Sequence, residues 1–346
     1  MTNDSVRIGL IGAGRNTSDR HIPGFQKLAG VEIVAVANRT RESGRRVADQ
    51  FNIPRVYDDW RALLEDDNIN AVCIGTWPNM HRTLTVAALE KNKHVLCEAR
   101  MATNSQEAHD MLNTAIANPH LITQIVPAPF TFPVDNLVQQ LLADDYLGQL
   151  LAVEIQALAG SDFIDFNGPI HWRHDRDLSG FNTLGIGIWY ETMIRWVGRA
   201  TKVMAMSKVN VPQRRDEAGK LVGITIPDHV DIICQLTNGA LAHLRSSAIT
   251  GLSQENEVWL YGTEGTLHLD QELQLRGGRR GEQQLSPIPN PPEKQYAWRV
   301  EEEFIGAIRG QESVTHTSFK EGVHYMEWTE AVARSAQTGQ AISLPL

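Results

Sequence analysis

Val6-Arg7-Ile8-Gly9-Leu10-Ile11-Gly12-Ala13-Gly14 runs from an apolar strand straight into a glycine turn. Strand, glycine turn, then helix is how a dinucleotide-binding βαβ unit begins. Gly12 can take backbone angles that other residues avoid, so the chain can turn tightly there. Gly14 keeps side chains away from the place where a pyrophosphate must approach the backbone. A helix predicted from Arg20 to Leu28 then offers unpaired N–H groups and a positive dipole end. Ala13 and Arg15 complete the candidate phosphate turn. The third position of the fingerprint is Thr17 rather than Gly or Ala, so the match is partial.

The pattern outward from this turn alternates. A second strand is expected at Val31–Ala37, helices at 41–51 and 59–65, and a continuous apolar strand at 69–75. A helix follows at 80–91, with Asn92 suited to close it in the left-handed conformation. A strand begins at 95–97, a helix covers 106–116, and 121–126 is a sixth strand. Six strands alternating with helices imply a doubly wound parallel sheet. Three prolines between Pro127 and Pro133 break that pattern. The boundary is placed there, giving a dinucleotide-binding domain over 1–127 and a substrate-binding and oligomerisation domain over 128–346. The second half reads as α+β: a helix at 134–143, then strands near 151–159, 202–209, 230–236, 240–247, 257–261 and 266–269. Asn238-Gly239 has the type and spacing of a hairpin turn, and Gly262-Thr263-Glu264-Gly265 is read as another. Of two closing helices, the second starts at the capping box Ser318-x-x-Glu321 and ends before Gly339.

Composition narrows the function. At 346 residues the chain is long enough for two domains, each with a core. A net charge of −9 gives no basic footprint for nucleic acid. Cys73, Cys97 and Cys234 are few and sit mostly in apolar runs, so they read as buried thiols of a reducing cytosol. The polar start Thr2-Asn3-Asp4-Ser5 predicts no secretory signal, and no apolar run is long enough for a bilayer. The expected location is cytoplasmic. No spacing of His, Cys and carboxylates forms a metal-ligand set.

At the end of the second strand, where this fold usually places an acid for the adenosine ribose, the chain has Asn38-Arg39-Thr40-Arg41. A neutral amide followed by arginines accepts a 2′-phosphate that a carboxylate repels. The cofactor expected is therefore NADP(H), with NAD(H) the alternative. Thr76, Trp77 and His81 follow the 69–75 strand, at the carboxyl edge where such sheets bind ligands. Asn79 is read as the N-cap of the next helix.

The run Ala71–Ala102, with the N-terminal glycines and Gly262-Thr263-Glu264-Gly265, resembles the Gfo/Idh/MocA oxidoreductases, which include glucose-fructose oxidoreductase and inositol dehydrogenase. The family pattern T-P-x-x-x-H, then A-L-x-x-G-K-H-V-x-x-E-K-P, is matched in spacing by Thr76–His81 and Ala88–Arg100. The resemblance implies an N-terminal Rossmann domain and a C-terminal α+β domain with a large open mixed, mainly antiparallel sheet. It also implies homodimers or homotetramers and a small-molecule sugar or polyol substrate. It puts Glu98 on the nicotinamide side. The family lysine beside the nicotinamide is Ala99 here, followed by Arg100. In Gly180–Thr192 the family aspartate, histidine and final aspartate fall on Gly185, Trp189 and Thr192.

Taking a proton from an alcohol needs a base. His171-Trp172-Arg173-His174-Asp175 supplies the nearest substitutes: His171 or His174 as acid or base, with Asp175 orienting one of them. Tyr190 is a further donor, and Arg100 and Arg173 are expected to bind substrate. Glu191 and Arg195, four apart, read as a surface ion pair. Trp298, Tyr325 and Trp328 read as core or interface. His229, His243 and His268 are read as isolated histidines in strand regions. Three outcomes stay open: net oxidation or reduction of a hydroxyl or carbonyl, transient oxidation with glycoside cleavage or elimination and no net redox, or a dinucleotide-binding sensor that has lost catalysis.

Overall fold

The structure is a computed structural model and describes residues 5–158 and 163–346. The chain divides into two compact units, Met1–Pro127 with Arg299–Val323, and Ala128–Trp298 with His324–Leu346.

In the first unit the strands are β1 (Val6–Ile11), β2 (Val31–Ala37), β3 (Arg55–Tyr57), β4 (Ala71–Ile74), β5 (His94–Cys97) and β6 (Thr123–Ile125). They form one parallel sheet in the order β3-β2-β1-β4-β5-β6. The helices are α1 (Ile22–Gln26), α2 (Arg41–Phe51), α3 (Trp60–Leu64), α4 (Pro78–Glu90) and α5 (Ser105–Ala117). Ile8, Leu10, Val36, Val72, Ile74 and Leu96 are fully buried, as befits parallel strands covered on both faces. The chain order reverses between β1 and β4, and the crevice at that switch point is where such sheets take a dinucleotide.

Local chemistry sets the ends. Thr40 accepts from the Ser43 N–H at 3.2 Å to start α2, and Asn52 closes it at φ 58°. Asn92 follows α4 at φ 57°. The helix expected from Arg20 starts earlier, as a π-turn over Thr17–His21 that runs into α1. The cap of α4 is Trp77 rather than Asn79, with Pro78 at the first helical position. β3 has no apolar run to mark it in the sequence; its three residues are all half-buried at the sheet edge.

A single cut after 127 does not describe the chain, because 299–323 returns to the first unit. The physical reason is the β6 edge. Ile125 N–H donates to Thr317 O at 2.9 Å and Thr317 N–H donates to Ile125 O at 3.1 Å, which satisfies a strand edge. Gln124 donates to buried Glu303 at 2.7 Å, on the helix Val300–Ile308.

The second unit contains α6 (Phe132–Ala143), β7 (Leu150–Leu158), α7 (Arg176–Ser179), α8 (Ile186–Val197) and β8 (Ala200–Lys208). After these come β9 (Gln213–Arg215), β10 (Leu221–Gly223), β11 (His229–Leu236), β12 (Leu241–Ser247) and β13 (Asn256–Gly262). The remaining strands are β14 (Gly265–Leu269), β15 (Leu275–Arg279), β16 (Ser286–Pro287) and β17 (Ile342–Ser343). Ala159, the expected end of the first of these strands, lies outside the described residues, as do Thr2, Asn3 and Asp4. β9 and β10 pair alone; the other nine strands form an open sheet in the order β16-β15-β14-β13-β7-β12-β11-β8-β17. It is mixed, β7 and β12 being parallel and their neighbours antiparallel. Gly239 turns the β11–β12 hairpin at φ +87°. The β13–β14 turn needs its glycines for a different reason. A Cβ on Gly262 would stand 2.1 Å from Leu147 O, and one on Gly265 2.6 Å from Tyr146 O. The helix Phe319–Thr338 starts from the expected capping box, in which Ser318 and Glu321 bond reciprocally.

Candidate active site

The glycine turn is shaped by its own packing. Gly12 has φ +84°, and a Cβ there would lie 2.9 Å from Thr76 N. Asn38, at the end of β2, accepts from the Ala13 N–H at 2.7 Å and so clips the turn to the sheet. Gly75 would meet Thr17 Oγ1 at 2.1 Å and Gly12 O at 2.4 Å if it carried a Cβ. Thr17 is buried. The close helix–strand packing that a third fingerprint glycine normally gives is therefore obtained with Thr17 on one side and Gly75 on the other.

Gly14 differs. It has no positive φ, and the nearest atom to a Cβ there is Gly75 O at 3.8 Å. The chain itself does not need a glycine at 14, whereas a ligand approaching that backbone does. Arg15 is exposed beside it, 3.4 Å from Asp19. Two buried oxygens at the carboxyl end of β4, Thr76 Oγ1 and Asn79 Oδ1, have no hydrogen-bond partner among the described residues. Orphaned polar atoms at a strand end, next to bare backbone, fit a site built for a polar ligand. The residues present therefore suit a dinucleotide.

Arg39 lies over the Trp77 ring at 5.7 Å, within cation–π range. Arg41 is paired with Asp58 in an exposed contact, whereas no carboxylate among the described residues pairs with the exposed Arg39. His81 is buried between Thr76 O and Arg100 O, at 3.0 Å from each. Burial lowers its pKa against the pull of those carbonyls, so the ring is neutral and donates to one of them at a time. His81 thus ties the loop after β4 to the loop after β5. Arg100 is itself buried. Lys93, the lysine of the A-L-x-x-G-K-H-V run, donates to Asp66 O and Ile69 O at 3.0 and 2.7 Å, a structural use.

Glu98, at the end of β5, belongs to a cluster that sequence reasoning missed. His21 is wholly buried, with Nε2 3.1 Å from Glu98 Oε1 and Nδ1 2.5 Å from Glu301 Oε1. Asn16 Nδ2 also donates to Glu98 Oε1, and the Ala99 N–H to Oε2 at 3.1 Å. Burial alone lowers the His21 pKa, but the hydrogen bonds and charges of Glu301 and Glu98 outweigh it and lift it to about 9. Burial likewise pushes Glu98 up, and the His21 bond and charge, with Asn16 and the Ala99 N–H, hold it below the usual carboxylate range. The available signal was Glu301, a carboxylate at i relative to Phe304, Ile305 and Ile308 on the apolar face of its helix.

A histidine charged in the folded protein and raised above its unfolded value stabilises most at low pH. The His21 contribution is full below 6.5 and is lost as pH rises through about 9. It is on the order of 3 kcal/mol. Urea unfolding between pH 6 and 10 is expected to show that fall, and His21→Gln to flatten it; an unchanged pH profile in the variant refutes the assignment.

In the second unit the expected proton handlers are mostly caps. His171 Nδ1 accepts from the Arg173 N–H at 3.3 Å, and His174 Nδ1 accepts from the His171 N–H at 3.1 Å. With both Nδ1 lone pairs engaged, the neutral rings carry their hydrogen on Nε2. Burial and then Arg173 lower the His171 pKa; burial, Arg214 and His171 lower that of His174. Arg173 stacks over Trp172 at 4.3 Å. Asp175 does not orient either histidine: its carboxylate caps α7, accepting from the Asp177 N–H at 2.9 Å. Tyr190 likewise stands apart from the expected proton handlers. It is buried, stacked on Trp328 at 4.3 Å, and its hydroxyl accepts from the Ala200 N–H at 3.0 Å, so it is core rather than a proton donor to substrate.

Gly185 and Trp189 adjoin. A Cβ on Gly185 would lie 3.7 Å from the indole Cδ1, and Phe130 lies 6.2 Å from the indole ring. Trp189 is buried and Phe130 half-exposed beside it. Glu191 and Arg195 form no surface pair; both are buried, with Asp135, Thr131 and Ala128 around them. His229 and His243 are not isolated, since both bond Asp231, at 3.0 and 3.3 Å. Among the described residues no His, Cys, Asp and Glu group could hold a metal ion, and no helix is long and apolar enough to cross a membrane.

Residues 6–124 match the family model described as an oxidoreductase family with an NAD-binding Rossmann fold, and residues 136–268 match the GFO/IDH/MocA C-terminal domain. The chain belongs to the Gfo/Idh/MocA oxidoreductase family. Among curated members, trans-1,2-dihydrobenzene-1,2-diol dehydrogenase of Sus scrofa is 26% identical over 303 residues, 84% of this chain and 83% of that one. Levoglucosan dehydrogenase of Pseudarthrobacter phenanthrenivorans is 24% identical over 357 residues, covering 91% and 89%. Two solved structures of Gfo/Idh/MocA type share the fold. The apo form of levoglucosan dehydrogenase has a TM-score of 0.87 at 20% identity, covering 99% of each chain. Its complex with NADH and L-sorbose has a TM-score of 0.85 at 22% identity, with the same coverage.

Proposed function

We propose that this protein is an NAD(P)(H)-dependent dehydrogenase or reductase acting on a hydroxyl or carbonyl of a sugar, cyclitol or related polyol. The observation that carries the reading is Gly14, whose bare backbone the protein's own packing does not require. Relatives named as dehydrogenases of levoglucosan and of a dihydrobenzene diol support the substrate class. When bound, the cofactor supplies hydride acceptance or donation at its nicotinamide. Gly12, Ala13, Gly14 and Arg15 hold the pyrophosphate, and Asn38 and Arg39 face the adenosine ribose. Thr76, Trp77 and His81 shape the strand-end pocket, and Glu98 stands on the nicotinamide side. Arg100 and Arg173 bind substrate oxygens. His174, and His171 beside it, offer Nε2–H to a substrate oxygen; taking a proton requires a cap bond to open. Phe130, half-exposed and backed by the buried Trp189, gives a ring substrate an aromatic surface for its C–H face.

Arg39, with no carboxylate at 38, favours NADP(H) over NAD(H). Arg39→Ala is expected to weaken NADP(H) about tenfold or more, the worth of a charge-assisted bond, and NAD(H) far less. Calorimetry with both cofactors, then a polyol and glycoside panel read at the reduced nicotinamide band, tests the whole reading. Equal losses for both cofactors refute the phosphate role, and no binding of either refutes the function. A second reading has its own observation: the polar groups expected to move protons serve as caps or core. Cofactor that survives purification without turning over on any polyol favours no-net-redox chemistry, or a sensor.

Self-association is proposed through the open sheet. Leu151, Met204, Met206, Ile233 and Leu241 are half or more exposed there. Met204 and Ile233 are direct partners on neighbouring strands. Such an apolar patch suits a homodimer or homotetramer.

A further inference from the structure

The Glu301–His21–Glu98 cluster is too elaborate to be a packing detail. Gly24 makes room for it, since a Cβ there would lie 2.8 Å from the Glu301 carboxyl carbon. A wholly buried imidazole is held between two carboxylates, and the one at the end of β5 keeps an exposed fraction of 14%. Asn16 and the Ala99 N–H hold that carboxylate in one orientation. With the imidazole protonated, the three groups together carry one negative charge. They sit at the carboxyl edge of the β4–β5–β6 half of the sheet, opposite the half whose second strand meets the adenosine ribose. Position 99, where the family resemblance puts a lysine, is alanine, and the cation in this loop is the buried Arg100 one residue on.

We propose that this buried cluster biases the cofactor site toward the oxidised dinucleotide, its net negative charge favouring the positive nicotinamide ring that the reduced form lacks. The proposal rests on the dinucleotide reading above. Oxidised and reduced cofactor share the same phosphates, riboses and adenine, so the ratio of their affinities isolates the field at the ring. Charges several ångströms apart in a partly dry site interact by enough to change such a ratio about tenfold. Other charged or titratable groups near the cluster are Arg100, which is the same in every variant, the buried His81, whose pKa burial lowers against the pull of Glu98, and the buried Cys73 and Cys97 thiols, whose raised pKa values keep them neutral.

The test is calorimetric binding of NAD⁺ and NADH, and of NADP⁺ and NADPH, to the protein. At about pH 5.5, below the ordinary histidine value of 6.5 so that His21 keeps its proton, Glu301→Gln takes the cluster from one negative charge to none. It is expected to raise Kd(oxidised)/Kd(reduced) about tenfold, while Glu302→Gln, the exposed neighbour, leaves the ratio alone. Wild-type protein gives an independent reading should Glu301→Gln not fold. Above pH 9, with His21 neutral and the cluster doubly negative, the ratio is expected to fall. A ratio indifferent to Glu301→Gln and to pH, with both forms still bound, overturns the proposal and leaves the cofactor reading standing. Failure of wild-type protein to bind either form at millimolar concentration overturns both.

Discussion

Gly14→Ala is expected to leave the first unit as stable as wild type, or up to about 1 kcal/mol more stable, while costing tenfold or more in dinucleotide affinity. The added methyl meets nothing closer than Gly75 O at 3.8 Å, and the backbone there has no positive φ. Alanine also loses less chain entropy than glycine on folding. The same methyl stands where a pyrophosphate must lie against bare backbone. Gly12→Ala is the contrasting case. Its φ of +84° and the 2.9 Å approach to Thr76 N force strain and a shift of the turn. About 2 kcal/mol or more of stability is expected to go together with the affinity. Thermal melting and cofactor titration of the two variants separate the roles: stability and binding fall together at 12, binding alone at 14. Should Gly14→Ala bind as wild type does, the glycine is incidental and the cofactor site lies elsewhere.

That contrast marks where the sequence was legible. The order of strands and helices in the first unit follows from unbroken apolar runs and from caps, and α2 has both ends as expected because Thr40 and Asn52 are local signals. β3 was invisible because Arg55-Val56-Tyr57 is short, mixed and half-buried. The turn's dependence on Gly75 could not be read, since Thr17 and Gly75 meet only after folding. His21 and Glu301 lie 280 residues apart, beyond any spacing rule. The capping role of the histidine cluster is legible only in retrospect. His171 to His174 and Asp175 to Asp177 have the separations at which side chains cap their own backbone, and that local use is independent of what the two Nε2 atoms do.

The i,i+4 spacing of Glu191 and Arg195 could not say which face of α8 they occupy, and the difference is large. Arg195 is 8% exposed in its side chain and donates to Asp135 at 3.1 Å and Glu191 at 3.0 Å. Its other guanidinium hydrogen bonds go to Thr131, Thr192 and the Ala128 carbonyl, and it lies 5.6 Å from the Phe132 ring. Asp135 also accepts from Trp196 Nε1 at 2.8 Å, and Glu191 from the Ala128 N–H at 3.1 Å. Arg195→Ala leaves two carboxylates buried without their cation, and about 3–5 kcal/mol of stability is expected to be lost. A surface pair is worth at most about 1 kcal/mol, so the two readings are far apart. Glu191→Gln keeps an acceptor for the Ala128 N–H and leaves Arg195 with Asp135, so its expected cost is smaller, about 1–2 kcal/mol. Urea unfolding followed by tryptophan fluorescence reports on this region through Trp189 and Trp196. Loss of Arg195 also releases the proline-rich segment Pro127–Pro133, which this network holds at Ala128 and Thr131. Limited proteolysis is therefore expected to cut Arg195→Ala there well before wild type. An Arg195→Ala variant within 1 kcal/mol of wild type and equally resistant puts the pair back on the surface.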